Sequence, residues 1–134
     1  MIRSTGTLKY SREDDGRYKL IVEVDEGIVR LARTLLPPVI RTRLNPQRYA
    51  PHITVVRNEV PMNPMYWGDR EGMCLDFRYN PEVVVGETYS WLVALSRPLI
   101  AIRTKLGLPP STEWTRPPDD TESFHITIGN FKNG

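Results

Sequence analysis

An internal repeat is the feature that most constrains how this chain of 134 residues folds. The triplet His-Ile-Thr occurs twice, at 52–54 and at 125–127, so the copies lie 73 positions apart. The same offset aligns further positions without a gap: Arg30 with Arg103, Leu35 with Leu108, Pro37 with Pro110, and the segments 18–24 with 91–97. Two copies are too few for a repeat array, so we expect a duplicated unit.

The pattern of apolar residues predicts the same order of elements in each half. We expect seven strands, at Thr5–Tyr10, Tyr18–Val24, His52–Val56, Met73–Tyr79, Val83–Val85, Tyr89–Leu95 and Phe124–Ile128. Asp25 is placed to cap a helix that ends at Pro37, and Pro98 suits the first turn of a second helix that ends at Gly107. Each half is therefore predicted to contain, in order, a strand, a helix that ends near a proline, a loop, and a strand that carries the triplet.

Length and composition restrict the class of protein. The chain is long enough for one domain, over residues 1–134, and too short for two independent cores. No apolar run reaches the roughly 20 residues of a membrane span, and the N-terminus lacks the apolar core of a secretory signal. We therefore expect a cytoplasmic protein without a membrane partner. One cysteine, Cys74, excludes an internal disulfide and a cysteine-based zinc site.

Positive charge is concentrated in one part of the chain. Six arginines and no acidic residue lie between Gly27 and Asn58, at positions 30, 33, 41, 43, 48 and 57. A solvated basic face would explain this run. So would an anionic ligand that carries phosphate, because the guanidinium fork matches phosphate oxygens.

The period of a β-strand gives the two triplets a chemical meaning. Residues i and i+2 of a strand point to the same side, so His52 and Thr54 share one face, and His125 and Thr127 share another. The apolar residues between and after them would pack on the helix of the same half. If a pseudo-twofold axis relates the halves, both histidines and both threonines face one cleft.

Two imidazoles and two hydroxyls form a site for phosphodiester chemistry. Histidine titrates near neutral pH, so one ring can act as a base and the other as an acid. The hydroxyls of Thr54 and Thr127 can donate to phosphoryl oxygens as charge develops there. A structural role for the histidines, or a metal site completed by Asp or Glu, are the alternatives. No ligand spacing accompanies either triplet, so we expect neither a metal nor a cofactor.

The two motifs resemble those of the 2H phosphoesterase (LigT-like) superfamily. The matching segments are Pro51-His52-Ile53-Thr54-Val55 and Phe124-His125-Ile126-Thr127-Ile128. The resemblance implies an α+β, bilobal fold, with two pseudo-symmetric antiparallel sheets, helices on the outside and a central cleft. It also implies metal-independent phosphodiester chemistry, with His52, Thr54, His125 and Thr127 as the catalytic residues.

The resemblance leaves the substrate open. The segment Leu8-Lys9-Tyr10-Ser11 is similar to a strand that carries a base-stacking tyrosine in phage nucleases directed against cyclic-nucleotide signals, the anti-CBASS proteins. That likeness implies hydrolysis of cyclic oligonucleotides in the host cytoplasm. The alternatives are an RNA 2′,3′-cyclic phosphodiesterase that processes RNA ends, and a nucleotide- or RNA-binding module without turnover. Oligomeric state is not indicated by the sequence.

Candidate substrate contacts follow from the chemistry of nucleotides. A base stacks on a flat aromatic ring, and Tyr10, Trp67 and Trp114 are the aromatic residues we expect near the cleft. Packing within loops is the alternative for the two tryptophans. For the phosphate we expect Arg48, Arg57 and Arg116, with Arg57 facing the triplet side only if a bulge turns it.

Overall fold

The computed structural model describes residues 1–110, 112, 115 and 124–132. Its strands are β1 (Ile2–Arg12), β2 (Tyr18–Glu23), β3 (His52–Arg57), β4 (Cys74–Tyr79), β5 (Val84–Val85), β6 (Tyr89–Leu95) and β7 (Phe124–Asn130). Its helices are α1 (Glu26–Thr34), α2 (Pro38–Arg41) and α3 (Arg97–Lys105). Within this part of the chain, no helix has the length and apolar character needed to cross a membrane.

The strands form one antiparallel sheet in the order β4-β1-β2-β3-β7-β6-β5. A further pairing of β4 with β6, at Arg78–Leu95 and Tyr79–Ala94, closes six of these strands into a barrel. Among the described strands, closure leaves only the two-residue strand β5 at an edge, where it pairs with β6. The α+β class agrees with the expectation, whereas the strands belong to one continuous sheet where two sheets were expected.

The order of strands around the barrel reproduces the internal repeat. The first half supplies β1-β2-α1-β3 and the second supplies β4-β6-α3-β7. The halves join at two antiparallel pairs, β3 with β7 and β1 with β4. Each pair consists of corresponding strands, as a twofold axis between the halves requires.

The expected gap-free alignment of the repeat is wrong in the helices. α1 spans 26–34 and α3 spans 97–105, which is an offset of 71 and not the 73 of the triplets. The strands that carry the triplets, β3 and β7, are called the motif strands. The connection from the helix to the motif strand therefore differs in length between the halves. In the first half it contains α2, which begins at Pro38 because proline suits the first helical position.

Caps fix where the two long helices begin. The Asp25 carboxylate accepts a hydrogen bond from the Gly27 amide at 2.7 Å, and the Ser96 hydroxyl accepts one from the Leu99 amide at 3.4 Å. Each cap supplies an acceptor for an amide that has no partner within its helix. The helices therefore start at fixed points after β2 and β6, and this sets how they reach the motif strands.

One face of the motif strands belongs to the core. Ile53 and Val55 of β3, and Ile126 and Ile128 of β7, have no exposed surface. They pack with apolar residues from every other strand of the barrel, among them Leu8, Leu20, Val22, Leu75, Phe77, Leu92 and Ala94. The alternation places the histidines and threonines of the same strands on the opposite face.

Two arginines bind the halves together in a reciprocal way. Arg103 of α3 donates to the carbonyl of Val55 at 2.7 Å, and Arg33 of α1 donates to the carbonyl of Ile128 at 2.9 Å. Val55 and Ile128 are one residue beyond the triplets, at the same offset of 73. Each helix therefore holds the motif strand of the other half.

The arginine of the second half is also the more deeply buried. Arg103 has no exposed side-chain surface, and its guanidinium forms a bidentate pair with Glu59 at 2.8 and 2.7 Å. Its Nε donates to the Pro109 carbonyl at 2.7 Å. Loss of this side chain removes the charged partner of the largely buried Glu59 carboxylate and a donor to the carbonyl of the buried Val55.

We expect Arg103→Met to lower the free energy of unfolding by about 3–5 kcal/mol, because it breaks a buried ion pair from one side only. Urea denaturation measures this. Arg43→Met, which replaces an exposed arginine, is the matched control and should change stability by less than about 0.5 kcal/mol. A loss below about 1 kcal/mol for Arg103→Met would show that the pair does not hold β3 in place.

Candidate active site

The two triplets lie side by side on neighbouring strands. β3 and β7 pair in antiparallel fashion with Ile53 opposite Ile126. In an antiparallel pair the register runs in opposite directions, so this match places His52 opposite Thr127 and Thr54 opposite His125. All four side chains project from the same face, which is the face turned away from the core.

This register places the two imidazoles on a diagonal. Directly opposed residues have Cβ atoms about 5 Å apart, and diagonal neighbours on the same face are about 7–8 Å apart. His52 and His125 are such diagonal neighbours, with the two threonines on the other diagonal. The twofold axis through the Ile53–Ile126 pair exchanges each residue of the first triplet with the one 73 positions later in the second.

Backbone carbonyls hold both rings in the same tautomer. The Nδ1 atom of His52 lies 2.9 Å from the Ala50 carbonyl, and the Nδ1 atom of His125 lies 3.2 Å from the Thr115 carbonyl. A carbonyl oxygen only accepts, so each Nδ1 must carry the hydrogen. In the neutral ring this leaves the lone pair on Nε2, which is then the atom available to take or give a proton.

The surroundings of the two histidines differ despite the symmetry. On β2, Glu23 lies opposite His52 in the register, and its carboxylate forms an ion pair with Lys9 at 3.0 Å. On β6, Val93 lies opposite His125. The first imidazole therefore has a charged neighbour and the second an apolar one.

His125 titrates below the usual range of a histidine. Burial lowers its pKa from 6.5, and the nearby His52 lowers the pKa further, while the hydrogen bond to Thr115 acts in the other direction. Burial disfavours the charged ring because it removes water that would solvate the charge. His125 is therefore kept neutral at pH values where an ordinary histidine begins to take a proton.

The threonine hydroxyls are available to a ligand. Among the described residues, neither Thr54 nor Thr127 has a side-chain hydrogen bond, and both are partly exposed. A hydroxyl that is not already bonded can donate to a phosphoryl oxygen. In the same part of the chain, no three His, Cys, Asp or Glu side chains are grouped so that they could hold a metal ion.

A groove of about 450 Å³ opens beside His52 and Thr127. Its walls come from α1, from the segment before β3 and from β7, and they include Arg30, Arg33, Arg48 and Tyr49. The structure thus brings Arg48, one of the expected phosphate contacts, to the wall of a cavity that contains one histidine and one threonine. The volume lies within the range of small-molecule sites.

Arg57 lies on the same face as the triplet because of a bulge. Ile21 pairs with Thr54 but Leu20 pairs with Val56, so β3 has one extra residue at this point. Val55 and Val56 are both buried, and the alternation then turns Arg57 to the triplet side, where it is exposed. We expected Arg57 to face the triplet side only if a bulge turned it, and β3 contains that bulge.

Tyr10 and Trp67 are not brought to the histidines. Tyr10 pairs with Leu20 on the core side of β1, and the ring of Trp67 packs edge-on at 4.8 Å against both Tyr10 and Tyr18. Burial, with the nearby Asp69 and Glu71, raises the pKa of Tyr10 to about 12. These aromatic rings pack against one another and the core, and for Trp67 such packing was the stated alternative to base stacking.

Two other expected contacts, Trp114 and Arg116, lie outside the described residues.

Trp91 is a neighbour of the site that we did not expect. The pairing of β6 with β7 places it opposite Thr127, so this tryptophan borders the site from within the sheet. Trp91 is only 8% exposed, as is usual for a core residue. Its neighbourhood depends on strand pairing, for which the sequence carries no direct signal.

Tyr49 is the other residue of the site that the sequence analysis did not identify. It is exposed and lines the groove, next to Arg48 and three positions before His52. An aromatic residue beside an arginine, just before a motif strand, was the available signal.

Comparison with models of known protein families, with characterised proteins and with solved structures gives no match.

The lowered pKa of His125 predicts how stability changes with pH. As the pH falls through 6.5, the unfolded chain takes up a proton at His125 that the folded protein does not, so this residue reduces stability towards acid pH. We expect His125→Asn to weaken the fall in unfolding free energy between about pH 7.5 and pH 5.5, as measured by urea denaturation.

An NMR titration of the wild-type protein gives a second measure of the same property. The His125 ring should titrate with a midpoint below 6.5. A midpoint above 6.5, with an unchanged pH dependence of stability in the variant, would contradict the described burial of this ring.

Proposed function

We propose that this protein is a metal-independent phosphodiesterase that hydrolyses cyclic nucleotides or oligonucleotides. One observation carries the proposal, namely the pairing of Ile53 with Ile126. This register places the two imidazoles on one diagonal and the two threonines on the other, all on the same face of the sheet. The resemblance of both motifs to the 2H phosphoesterases points to the same chemistry. Such a site needs an acid, a base and donors to the phosphoryl oxygens, and these four side chains are sufficient.

His125 is the base in the first step that we propose. Its ring is kept neutral by burial, and its Nε2 atom is free because Nδ1 is bonded to a carbonyl. Nε2 takes the proton of a ribose 2′-hydroxyl as the 2′-oxygen attacks phosphorus. The bond from phosphorus to the 5′-oxygen breaks, and His52 gives its Nε2 proton to that oxygen. The products are a 2′,3′-cyclic phosphate and a 5′-hydroxyl.

The roles of the histidines exchange in the second step. After the first step His52 is neutral and His125 is protonated. His52 then takes a proton from water, the water oxygen attacks the cyclic phosphate, and His125 gives its proton to the departing ribose oxygen. In both steps the hydroxyls of Thr54 and Thr127 donate to the non-bridging oxygens, where negative charge develops.

The architecture supports the proposed family. We propose that the two halves, β1-β2-α1-β3 and β4-β6-α3-β7, correspond to the two lobes of a 2H phosphoesterase, here joined edge to edge into a barrel. We further propose that the protein acts in the host cytoplasm, as a phage counter-defence against bacterial cyclic-nucleotide signals. The support for that setting is the similarity of the sequence Leu8–Ser11 to the phage enzymes, and not the position of the Tyr10 ring, which packs on the core side of β1.

A substrate panel tests the reaction and its alternatives. We expect turnover of cyclic di- or trinucleotides in the presence of a chelator, with a 2′,3′-cyclic phosphate as an intermediate that chromatography detects. Turnover restricted to RNA that already ends in a 2′,3′-cyclic phosphate would instead support an RNA-end enzyme. Tight binding without any turnover would support a binding module, and loss of activity with chelator would contradict the proposed mechanism.

His52→Ala and His125→Ala should each lower kcat by about 10²–10⁴-fold, because each removes a proton-transfer group. Thr54→Val and Thr127→Val should each cost about a hundredfold through loss of a donor to the phosphoryl oxygens. Single-turnover kinetics measure these effects, and Arg43→Ala, on the exposed surface, is the control. Full activity in either histidine variant would exclude the acid–base pair.

The pH dependence of kcat/KM should be bell-shaped, since one histidine must be neutral and the other charged. Because His125 is the base and its pKa is lowered by burial, the acid limb should have its midpoint below 6.5. A profile of kcat/KM over about pH 4.5–9 measures this. An acid limb centred above 6.5 would mean that His125 is not the base in the rate-limiting step.

A further inference from the structure

The groove beside His52 is asymmetric with respect to the scissile phosphate. It is lined by His52 and Thr127, which form one of the two cross-strand pairs of the site. The other pair, Thr54 and His125, does not line this groove; its cross-strand neighbours are Ile21 and Val93, and the exposed Arg57 follows Thr54 on the same face. A ligand held between the histidines therefore meets a polar cavity on the His52 side.

The walls of the groove carry a net positive charge. Three arginines, Arg30, Arg33 and Arg48, line it together with one acid, Glu26. An anionic ligand therefore gains favourable interactions over the whole cavity.

Two of the three arginines are available to a ligand. Arg33 is committed to the carbonyls of Leu44 and Ile128, at 2.7 and 2.9 Å. Arg30 is exposed, and within the described residues its carboxylate partner, Glu26, lies 3.9 Å away on the surface, where such pairs are weak. Arg48 is exposed and its guanidinium lies 6.0 Å from the ring of Tyr49.

Tyr49 adds an apolar surface to these charges. Its side chain is 68% exposed and forms part of the same wall as Arg48. An exposed ring beside a guanidinium is a suitable platform for a nucleobase whose phosphate the arginine holds. The groove thus offers both of the contacts that a nucleotide requires, next to the imidazole that we assign as the acid.

We infer that the groove binds the nucleotide on the leaving-oxygen side of the scissile bond, with the next phosphate of that nucleotide held by Arg30 and Arg48. This inference rests on the proposed function, in which His52 protonates the departing 5′-oxygen. It defines the substrate class: a 3′–5′-linked oligonucleotide, linear or cyclic, with at least two phosphates. A 2′,3′-cyclic mononucleotide would leave the groove empty.

Binding of an uncleavable probe tests the inference without any need for turnover. The probe is diadenosine with one 3′–5′ linkage, with both 2′-hydroxyls methylated, made with and without a 3′-terminal phosphate. By calorimetry on the intact protein, we expect the terminal phosphate to strengthen binding about tenfold, as one charge-assisted hydrogen bond would. Arg48→Ala should abolish that gain and Arg30→Ala should reduce it.

Arg43→Ala is the matched control, since it removes an exposed arginine of the same basic segment that does not line the groove. It should leave the gain from the terminal phosphate unchanged. Equal affinity of the two probes, or an equal loss for both in Arg48→Ala, would overturn the inference. So would loss of the gain in Arg43→Ala, because only the general charge would then matter.

The outcomes separate this inference from the proposed function. If the unmethylated dinucleotide is not cleaved but the terminal phosphate still strengthens binding through Arg48, the groove is a nucleotide site and the proposed catalysis fails. If the dinucleotide is cleaved at equal rates with and without the terminal phosphate, the catalysis stands and the inferred phosphate contact fails.

Discussion

The pairing of β3 with β7 at Ile53–Ile126 is the constraint on which the rest of the site depends. It places four polar side chains of two distant segments on one face, within the spacing of neighbouring strands. A shift of one residue in this register would turn one histidine and one threonine into the core and their apolar neighbours outward. The burial of Ile53 and Ile126 therefore also fixes the geometry of the histidines.

The reciprocal arginines explain how a duplicated chain holds that register. Arg33 and Arg103 each cross from the helix of one half to the motif strand of the other. Gly129, the residue after Ile128, permits the approach, because a Cβ atom there would lie 2.6 Å from both the Arg33 guanidinium and the Asn45 carbonyl. The motif strands are thus tied by side chains as well as by their own ladder.

Much of this fold could be predicted from local patterns in the sequence. The alternation of apolar residues located all seven strands to within a few residues, and Asp25 and Pro98 marked the helix starts. The single sheet, with its barrel closure through β4 and β6, could not be predicted. The spacing of apolar residues along a strand does not specify which other strand it pairs with. The shorter offset between the helices was missed because the triplets alone set the alignment.

The site shows the same division between local and non-local information. The triplets predicted that both histidines and both threonines share one face, since the strand period fixes which side chains point to the same side. The bulge at Val55, which turns Arg57, and the placement of Trp91 opposite Thr127 depend on register between strands. Tyr10 and Trp67 were expected near the site because they are aromatic, but they find partners in each other and in Tyr18.

Duplication makes the two histidines similar, and their surroundings make them different. In the proposed mechanism, the partly buried ring beside Val93 suits a base that stays neutral, and the ring beside the arginine groove suits the partner that serves the leaving group. A symmetric motif can in this way carry an asymmetric reaction, in which acid and base are distinguished before the substrate binds.

The central claim, that both imidazoles act on one phosphorus, is tested most directly by nitrogen NMR of the histidine side chains. The intact protein would be titrated with the methylated diadenosine that carries a single phosphate. The account predicts that the Nε2 signals of His52 and His125 shift together, with one dissociation constant, while their Nδ1 hydrogens remain bonded to carbonyls. A shift confined to one ring, or two different dissociation constants, would contradict it.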